Sequence, residues 1–480
     1  MLGIAQHVSF LGFLVWFCLV PLFAIFHKLN SYKKIIFYSF IWGIGYHFTT
    51  IFWLSSNIGT DRFPAILSMI VGILYLSTNT ILIGTIWYRL KTYYPKYSVP
   101  LLIVVWTVVE FIKSYGILPF PWVSIANTQT DYFYLIQIVE YFGIYGITFW
   151  LLTVNGILFL LYQYDITYKK ILYGAFVFSA PFFIGYLAIK KYDLIADDYK
   201  ISLIQPNINL YDSRDFSKRY ILLDNLIKKS KISIDSGSKL IIWPEAALPF
   251  HSLQNKNTLN YINKNLLDGT EVSILSGDIT FEKGNTYNSV VLFNKYGVVD
   301  IYKKQLPVPL AEQVPLSDTF PKLKKINIGV ANYSSGNEDV VFSIDNQNFS
   351  SLICYESTFP EINRRHVKKG ADFITFLVND AWYTTWPEPR QHAKQSIYRA
   401  VENRRTVLRC ANTGISLIID PLGRIIKELP LNKEGELSTY INKVNRTTFY
   451  TKFGNVFSFI LLTIIGLLLI RTFVTDEKES

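Results

Sequence analysis

Three side chains with catalytic chemistry each follow a short apolar run in the second half of the sequence. Glu245 comes directly after Leu-Ile-Ile-Trp-Pro, Lys304 after Val-Val-Asp-Ile-Tyr-Lys, and Cys354 after Phe-Ser-Ser-Leu-Ile. Carboxylates and lysines take part in proton transfer and charge stabilisation, and a thiolate is a nucleophile. Because sites in α/β proteins form beyond the carboxyl ends of strands, we expect a site at these three strand ends.

The thiol of Cys354 lies in a sequence context that favours reactivity. Pro360 suits the first turn of a helix, and Gly370 suits the position just past its end. Cys354 is therefore predicted at a strand-to-helix turn, where the amides of a helix end favour the thiolate.

The elements that must position these residues alternate along residues 195–450. Short runs rich in branched and aromatic residues indicate strands, and the longer polar segments between them indicate helices. The predicted class for this region is α/β or a layered sandwich. The predicted strands are 200–204, 239–243, 272–276, 349–353, 373–378 and 415–419, and the predicted helices are 214–232, 255–267, 360–369 and 390–404.

The rest of the chain is dominated by apolar runs that are long enough to cross a bilayer, which takes about 20 residues. We predict an N-terminal membrane domain over residues 1–192 with about six spans, a globular domain over 195–450, and a C-terminal span over 453–473. The predicted spans are 8–27, 35–54, 64–88, 99–117, 134–161, 171–189 and 454–471.

Basic residues in the connecting loops predict the orientation. The first, third and fifth loops are basic, whereas loop 118–133 has no basic residue and the second has only Arg62, next to Asp61. By the positive-inside rule the basic loops are cytoplasmic, so residues 195–450 are predicted on the opposite side. The net charge of +11 fits an anionic lipid surface, and no basic helix with interleaved aromatics indicates nucleic-acid binding.

Two features remain open in meaning. Glu110 and Lys113 interrupt an apolar run at a spacing that puts them on one helix face, where they could serve function or simply pair. Cys18 and Cys410 fit neither a zinc site nor a disulfide framework, and we expect both to pack as small apolar residues.

Several short motifs in the same order resemble the nitrilase superfamily. They are Trp243-Pro-Glu245, Tyr302-Lys-Lys304 before Val-Pro, Cys354-Tyr-Glu356 and Asn379-Asp-Ala-Trp382. The resemblance implies a Glu-Lys-Cys triad of Glu245, Lys304 and Cys354 on an α-β-β-α sandwich. The membrane spans, together with further matches, resemble the apolipoprotein N-acyltransferase family over nearly the whole chain. These matches include Phe120-Pro-Trp122, Glu140-Tyr-Phe-Gly143, Val308–Pro315, Gln391-His392 and Asp420-Pro-Leu-Gly423.

This resemblance implies a two-step acyl transfer. Cys354 would take an acyl chain from a phospholipid as a thioester and pass it to the amine of S-diacylglyceryl-cysteine in an apolipoprotein. Glu245 would be the general base, Lys304 would stabilise the oxyanion, and Glu312 would position Lys304. Tyr355 and Glu356 follow the nucleophile as in the family. No metal or other cofactor is implied, since a thioester is energetic enough to acylate an amine.

The resemblance also implies a location, the bacterial inner membrane with the catalytic domain on the periplasmic side. The chain departs from the family in having Ala311 in place of a glycine and Asn209-Leu-Tyr-Asp212 in place of Lys-Trp after Gln-x-Asn. It also opens on what resembles the family's second span. Lys303 could compete with Lys304, but the spacing of Lys304 to Glu312 matches the family.

The loop after the Asn-Asp motif is rich in aromatic residues. Trp382, Tyr383 and Trp386 could form a lid or contact lipid, and packing in the core is the alternative. His392 is expected to cap or pack a helix near the site, and His366 to lie on a solvated helix face.

Two other functions are compatible with these residues. A membrane-tethered nitrilase-type amidase would share the triad but use water as the acceptor and a small amide as substrate. A non-catalytic membrane scaffold would not need all three triad residues, and their joint presence argues against it.

Overall fold

The computed structural model describes residues 1–248, 255–317, 319–320, 322–323, 332–383 and 386–479. These residues form two compact units. The helical unit comprises residues 1–57 and 61–191 and the chain from Phe453 onward, and the sheet unit comprises residues 58–60 and 192–452. In chain order the helices are α1 (Leu2–His7), α2 (Val20–Lys28), α3 (Tyr32–Ile51), α4 (Arg62–Tyr93), α5 (Ser98–Ile112), α6 (Val139–Phe142), α7 (Ile144–Gln163), α8 (Tyr168–Ile189), α9 (Leu210–Arg214), α10 (Arg219–Asp235), α11 (Lys256–Ile262), α12 (Pro360–Lys368), α13 (Glu388–Asn403), α14 (Phe449–Phe453) and α15 (Val456–Glu479).

Seven helical segments within the described residues are long and apolar enough to cross a membrane, and each overlaps one predicted span. Two predicted boundaries are wrong. The span predicted over 99–117 ends at Ile112, and the span predicted from residue 134 begins as a long helix only at Ile144. Gly143 causes the second difference, because its φ of +62° is in the left-handed region, which ends α6 before α7 begins.

The first span is interrupted rather than continuous. Ser9–Trp16 is a 3-10 helix, and α2 starts only at Val20. The buried Asn155 of α7 accepts from the Leu19 N–H at 2.9 Å and donates to the Val15 carbonyl at 2.8 Å. In an apolar surrounding free backbone groups are costly, so this side chain makes the interruption tolerable.

The charged residues predicted to share a helix face do pair. Lys113 Nζ lies 2.8 Å from Glu110 Oε1, and the two side chains are 7% and 6% exposed. They line a pocket together with His47, Trp42 and Trp106. The pairing lowers the cost of burying both charges within the helical unit.

The sheet unit contains two six-stranded sheets. The first has the order β12-β1-β2-β3-β4-β5 and the second β11-β10-β9-β8-β7-β6. Within each sheet three neighbouring strands are parallel, β1-β2-β3 and β7-β8-β9, and the other pairs are antiparallel. The strands are β1 (Ile195–Gln205), β2 (Leu240–Ile242), β3 (Ser273–Glu282), β4 (Asn285–Asn294), β5 (Gly297–Lys303), β6 (Phe342–Ile344), β7 (Gln347–Ile353), β8 (Phe373–Val378), β9 (Thr406–Ala411), β10 (Ser416–Ile419), β11 (Ile425–Leu429) and β12 (Gly435–Lys443).

The two sheets face each other and carry helices on their outer sides. β1 packs near β9 and β4 near β7, while α10 packs on the first sheet and α12 and α13 pack on the second. Trp243, Phe293 and Leu226 belong to the apolar cluster between α10 and the first sheet. The predicted α-β-β-α sandwich is therefore confirmed, as is the multi-span helical region.

Candidate active site

Glu245 lies just beyond the end of β2. The strand stops at Ile242, and Pro244 has no N–H with which to extend the ladder. A Cβ on Gly277 of β3 would lie 2.6 Å from Glu245 Cα, so only glycine lets β3 approach this closely. Glu245 is 8% exposed, and its carboxylate accepts a hydrogen bond from Asn288 Nδ2 at 2.8 Å.

Lys304 lies beside this carboxylate at the end of β5. Its ammonium is buried and donates to Glu312 Oε2 at 2.7 Å, and it lies 3.8 Å from Glu245 Oε1. Asn288 joins the two carboxylates, since its Nδ2 is also 3.0 Å from Glu312 Oε1. The backbone carbonyl of Asn288 accepts from the Lys304 N–H at 2.8 Å, which fixes the start of the loop after β5.

Burial and mutual charge decide the protonation of this cluster. Burial raises the pKa of Glu245 to about 7, with Lys304 opposing the shift and Glu312 adding to it. For Lys304, burial opposes the charge, but Glu312 and Glu245 outweigh it and raise the pKa above its usual value. Lys304 therefore stays protonated at neutral pH, whereas Glu245 can take up and release a proton there.

Cys354 occupies a turn directly after β7. Its φ of +49° is in the left-handed region, which a residue with a Cβ adopts only when its surroundings hold it. Burial and Glu245 raise the pKa of the Cys354 thiol well above its usual value, with Lys304 opposing. The thiol consequently needs a base to become a nucleophile. Tyr355, which follows it, is buried edge-on against Phe359 at a centroid distance of 5.0 Å.

Glu356 connects this turn with the segment that carries Lys304. Its Oε2 accepts from the Ile353 N–H at 2.8 Å. Its Oε1 accepts from Tyr302 Oη and from the Gln305 N–H, both at 2.7 Å, and from the Leu306 N–H at 3.1 Å. This single carboxylate is fully buried, and its hydrogen bonds connect the end of β7 with the end of β5.

A second buried network lies on the other side of Cys354. His392 Nε2 is 3.1 Å from the Cys354 carbonyl oxygen, and Nδ1 is 2.9 Å from Asp380 Oδ1. Asp380 Oδ2 in turn accepts from Arg409 Nη2 at 2.9 Å. Ligand atoms of Cys354, Asp380 and His392 lie within 4.8 Å of one another, and both ring nitrogens of His392 already have hydrogen-bond partners.

The aromatic loop is only partly described, since Thr384 and Thr385 lie outside the described residues. Trp382 and Tyr383 are half-buried, and the Trp386 side chain is 54% exposed. The loop follows Asp380 and leads into α13, which carries His392.

Sequence reasoning missed Asn288 and misplaced His366. The signal for Asn288 was an amide directly before the apolar run Ser-Val-Val-Leu-Phe, where burial would demand a partner. His366 was predicted on a solvated face but is fully buried, with Nδ1 2.8 Å from the Ile362 carbonyl and its ring edge-on to Tyr302. It lies on the buried face of α12 with Ile362 and Val367, and the basic residues around it obscured that face.

Comparison with known proteins assigns the class. Residues 200–449 match the carbon-nitrogen hydrolase family, and residues 1–157 match the apolipoprotein N-acyltransferase N-terminal domain. Together with the two-sheet sandwich and the Glu-Lys-Cys cluster, the first match defines a carbon-nitrogen hydrolase of the nitrilase type. Among solved structures, an amidase from Nesterenkonia sp. is similar, with 17% identity and a TM-score of 0.39. The match covers 54% of this chain and 94% of that one.

Relatives that match over most of the chain narrow the class. The apolipoprotein N-acyltransferase of Wigglesworthia glossinidia brevipalpis is 30% identical over 438 residues, which is 87% of this chain and 85% of the relative. The apolipoprotein N-acyltransferase of Rickettsia typhi is 29% identical over 470 residues, covering 93% and 91%. The chain belongs to the apolipoprotein N-acyltransferase family. Together with the seven apolar helical segments of spanning length among its described residues, this membership makes it a membrane protein.

The contacts of Glu356 predict the effect of replacing it. In Glu356→Gln an NH2 group replaces one carboxylate oxygen and meets a backbone or hydroxyl donor, so one buried bond is lost. We expect the free energy of unfolding of the sheet unit to fall by about 1–3 kcal/mol. Thermal unfolding in detergent, followed by tryptophan fluorescence, measures this as a lower midpoint.

The matched control is Glu338→Gln at an exposed carboxylate. We expect that variant to stay within about 0.5 kcal/mol of the parent protein. Equal midpoints for the two variants would contradict a joining role of Glu356.

Proposed function

We propose that this protein moves a fatty acyl chain from a membrane phospholipid to the N-terminal amine of S-diacylglyceryl-cysteine in an apolipoprotein. The observation that carries the proposal is the cluster of Glu245, Lys304 and Cys354 in a chain whose residues 1–157 match the N-terminal domain of these acyltransferases. A membrane-tethered amidase would not require that domain. A scaffold would not require a buried ammonium held between two carboxylates.

In the first step Glu245 accepts the proton of the Cys354 thiol. The sulfur attacks the ester carbonyl of the phospholipid and forms a C–S bond while the carbonyl oxygen becomes an oxyanion. The ester C–O bond then breaks, and the lysophospholipid leaves with the proton that Glu245 returns. A pKa of about 7 suits Glu245 for both directions of this transfer.

In the second step the lipoprotein amine attacks the thioester. Glu245 takes a proton from the amine, and the C–S bond breaks. The Cys354 thiolate is thereby released and regains the proton. Lys304, held by Glu312, supplies a fixed positive charge to the oxyanion in both steps. Glu356, and Tyr355 through its packing, hold the turn that presents the sulfur.

We assign residues 1–192 and 453–473 to the bilayer of the bacterial inner membrane and residues 195–450 to its periplasmic side. The support is the alternation of basic and non-basic loops in the sequence, together with the seven helical segments of spanning length in the described part of the chain.

Cys354→Ala is expected to abolish both the covalent intermediate and the transfer. Purified protein is incubated with a phospholipid, and peptide mass spectrometry then searches for one acyl group on the Cys354 peptide. Cys410→Ala is the control, because Cys410 is fully buried between Ile204 and Ile242, and the adduct on Cys354 should persist in that variant. An adduct on another cysteine, or release of ammonia from a small amide without acyl transfer, would refute the proposal.

The rate of thioester formation should depend on the protonation of Glu245. Only the ionised carboxylate accepts a proton, and its pKa is raised to about 7. The rate should therefore rise about tenfold per pH unit below about pH 7 and level off above it. Glu245→Gln should lower the rate roughly 10²–10⁴-fold and flatten the profile. A normal rate in that variant would place the base elsewhere.

Reporter fusions test the proposed orientation. A reporter that is active only after export is inserted after Asn285, the first residue of β4, directly after the turn that joins β3 and β4. We expect activity there, and none from the same reporter inserted after Lys169. A cytoplasmic signal at Asn285 would invert the topology.

We propose that the aromatic loop with Trp382, Tyr383 and Trp386 contacts lipid and gates its entry. The exposed ring of Trp386 supports this, since indole rings favour membrane interfaces. Trp386→Ala should slow acylation by a long-chain phospholipid but not by a short water-soluble thioester. Tyr296→Ala, at an exposed aromatic residue in the hairpin between β4 and β5, should affect neither. Equal losses with both donors would favour a purely structural loop.

A further inference from the structure

The turn that carries the nucleophile is held by a contact that the acyl-transfer mechanism does not use. The carbonyl oxygen of Cys354 accepts from Ser357 Oγ at 2.8 Å and lies 3.1 Å from His392 Nε2. Nε2 is also 3.1 Å from Ser357 Oγ. His392 thus contacts the turn Cys354–Thr358, the nucleophile turn, at two positions.

The other ring nitrogen of His392, Nδ1, is also held by a hydrogen bond. Nδ1 bonds to Asp380, which follows β8, and Asp380 bonds to Arg409 on β9. All three side chains are buried. A Cβ on Gly414 would lie 2.1 Å from Asp380 Oδ2, so glycine leaves room for this carboxylate. The ring is therefore braced by two strands of the second sheet.

The bracing works in either protonation state of the ring. When Nε2 carries a proton, it donates to the Cys354 carbonyl, and the Asp380 carboxylate offsets the charge of a ring protonated on both nitrogens. Burial and Arg409 lower the pKa of His392, which favours the neutral ring. In that state Nδ1 donates to Asp380, and Nε2 can accept the single Ser357 hydroxyl proton only in place of the Cys354 carbonyl. Both states connect α13 to the nucleophile turn.

The backbone conformation of Cys354 explains why the nucleophile turn must be held in place. Cys354 has a φ of +49°, a left-handed conformation that is strained for a residue with a Cβ. Such a residue relaxes unless the peptide groups around it are held. A small displacement of a reacting atom can lower a rate by about 10²-fold.

We propose that His392 is a positioning residue, which anchors the nucleophile turn and so keeps the Cys354 sulfur aimed at the acyl carbonyl. The inference rests on the proposed role of Cys354 as nucleophile. It leaves the role of base to Glu245, since His392 Nε2 contacts the Cys354 carbonyl and Ser357 Oγ.

Two substitutions separate positioning from proton transfer. His392→Gln keeps an NH2 group that can donate to the Cys354 carbonyl and to Ser357 Oγ, but it cannot act as a base. His392→Leu keeps the bulk and removes both bonds. We expect His392→Gln to retain kcat within about threefold. We expect His392→Leu to lower kcat by about 10–100-fold, with the KM for phospholipid little changed.

The second measurement uses no lipid. Alkylation of Cys354 by iodoacetamide forms a C–S bond and releases iodide, and peptide mass spectrometry follows its rate in the full-length protein. The same order of variants is expected, with His392→Leu slowest. If alkylation shows this order while no acyl transfer occurs in any variant, the proposed function fails and the positioning role stands.

His366→Leu is the matched control, since His366 is an equally buried histidine of the sheet unit that contacts Ile362 and Tyr302. It is expected to lower the melting midpoint without changing the alkylation rate of the folded protein. The inference is overturned if His392→Gln is as slow as His392→Leu, if His392→Leu matches the parent protein, or if its loss equals its unfolded fraction.

Discussion

The site depends on one buried ammonium held between two carboxylates. Lys304 is almost completely shielded from water, and an isolated charge there would be prohibitively costly. Glu312 Oε2 lies 2.7 Å from Lys304 Nζ and offsets that charge directly, and Glu245 Oε1 lies 3.8 Å from the same ammonium. Burial is the main cause of the raised pKa of Glu245, and the negative charge of Glu312 adds to the shift while Lys304 opposes it. The arrangement that makes Lys304 stable is therefore also the one that makes Glu245 useful as a base.

Such a cluster is possible only if strand ends from two sheets are kept in register. Glu245 and Lys304 come from the first sheet, and Cys354 comes from the second. Glu356 spans the two by accepting backbone hydrogen bonds from both sides of the gap. The sheets themselves are joined by apolar packing, which fixes their separation but not the direction of a single side chain. Directional hydrogen bonds supply that second requirement.

In the helical unit, too, several polar side chains in the interior are paired. Its outer surface is apolar, and buried polar groups are paired where the chain departs from a regular helix, as Asn155 does for the interrupted first span. Glu110 and Lys113 bury opposite charges side by side. In both units these buried polar side chains are tolerated because they have hydrogen-bonding or oppositely charged partners.

The sequence by itself determined the alternation of strands and helices, the number and approximate positions of the spans, and the catalytic candidates. These depend on local properties, namely runs of apolar residues, prolines that stop strands, and reactive side chains placed directly after them. It could not determine Asn288, the burial of His366, or the network of His392, Asp380 and Arg409. It also left five of the twelve described strands unassigned, including β9, where Arg409 interrupts an apolar run, and β11, which is largely exposed. The partners in these cases come from strands that are distant in the chain, so only the tertiary structure decides which polar side chains meet. A local pattern indicates that a buried amide or carboxylate needs a partner, but the packing of the two sheets decides which residue is that partner.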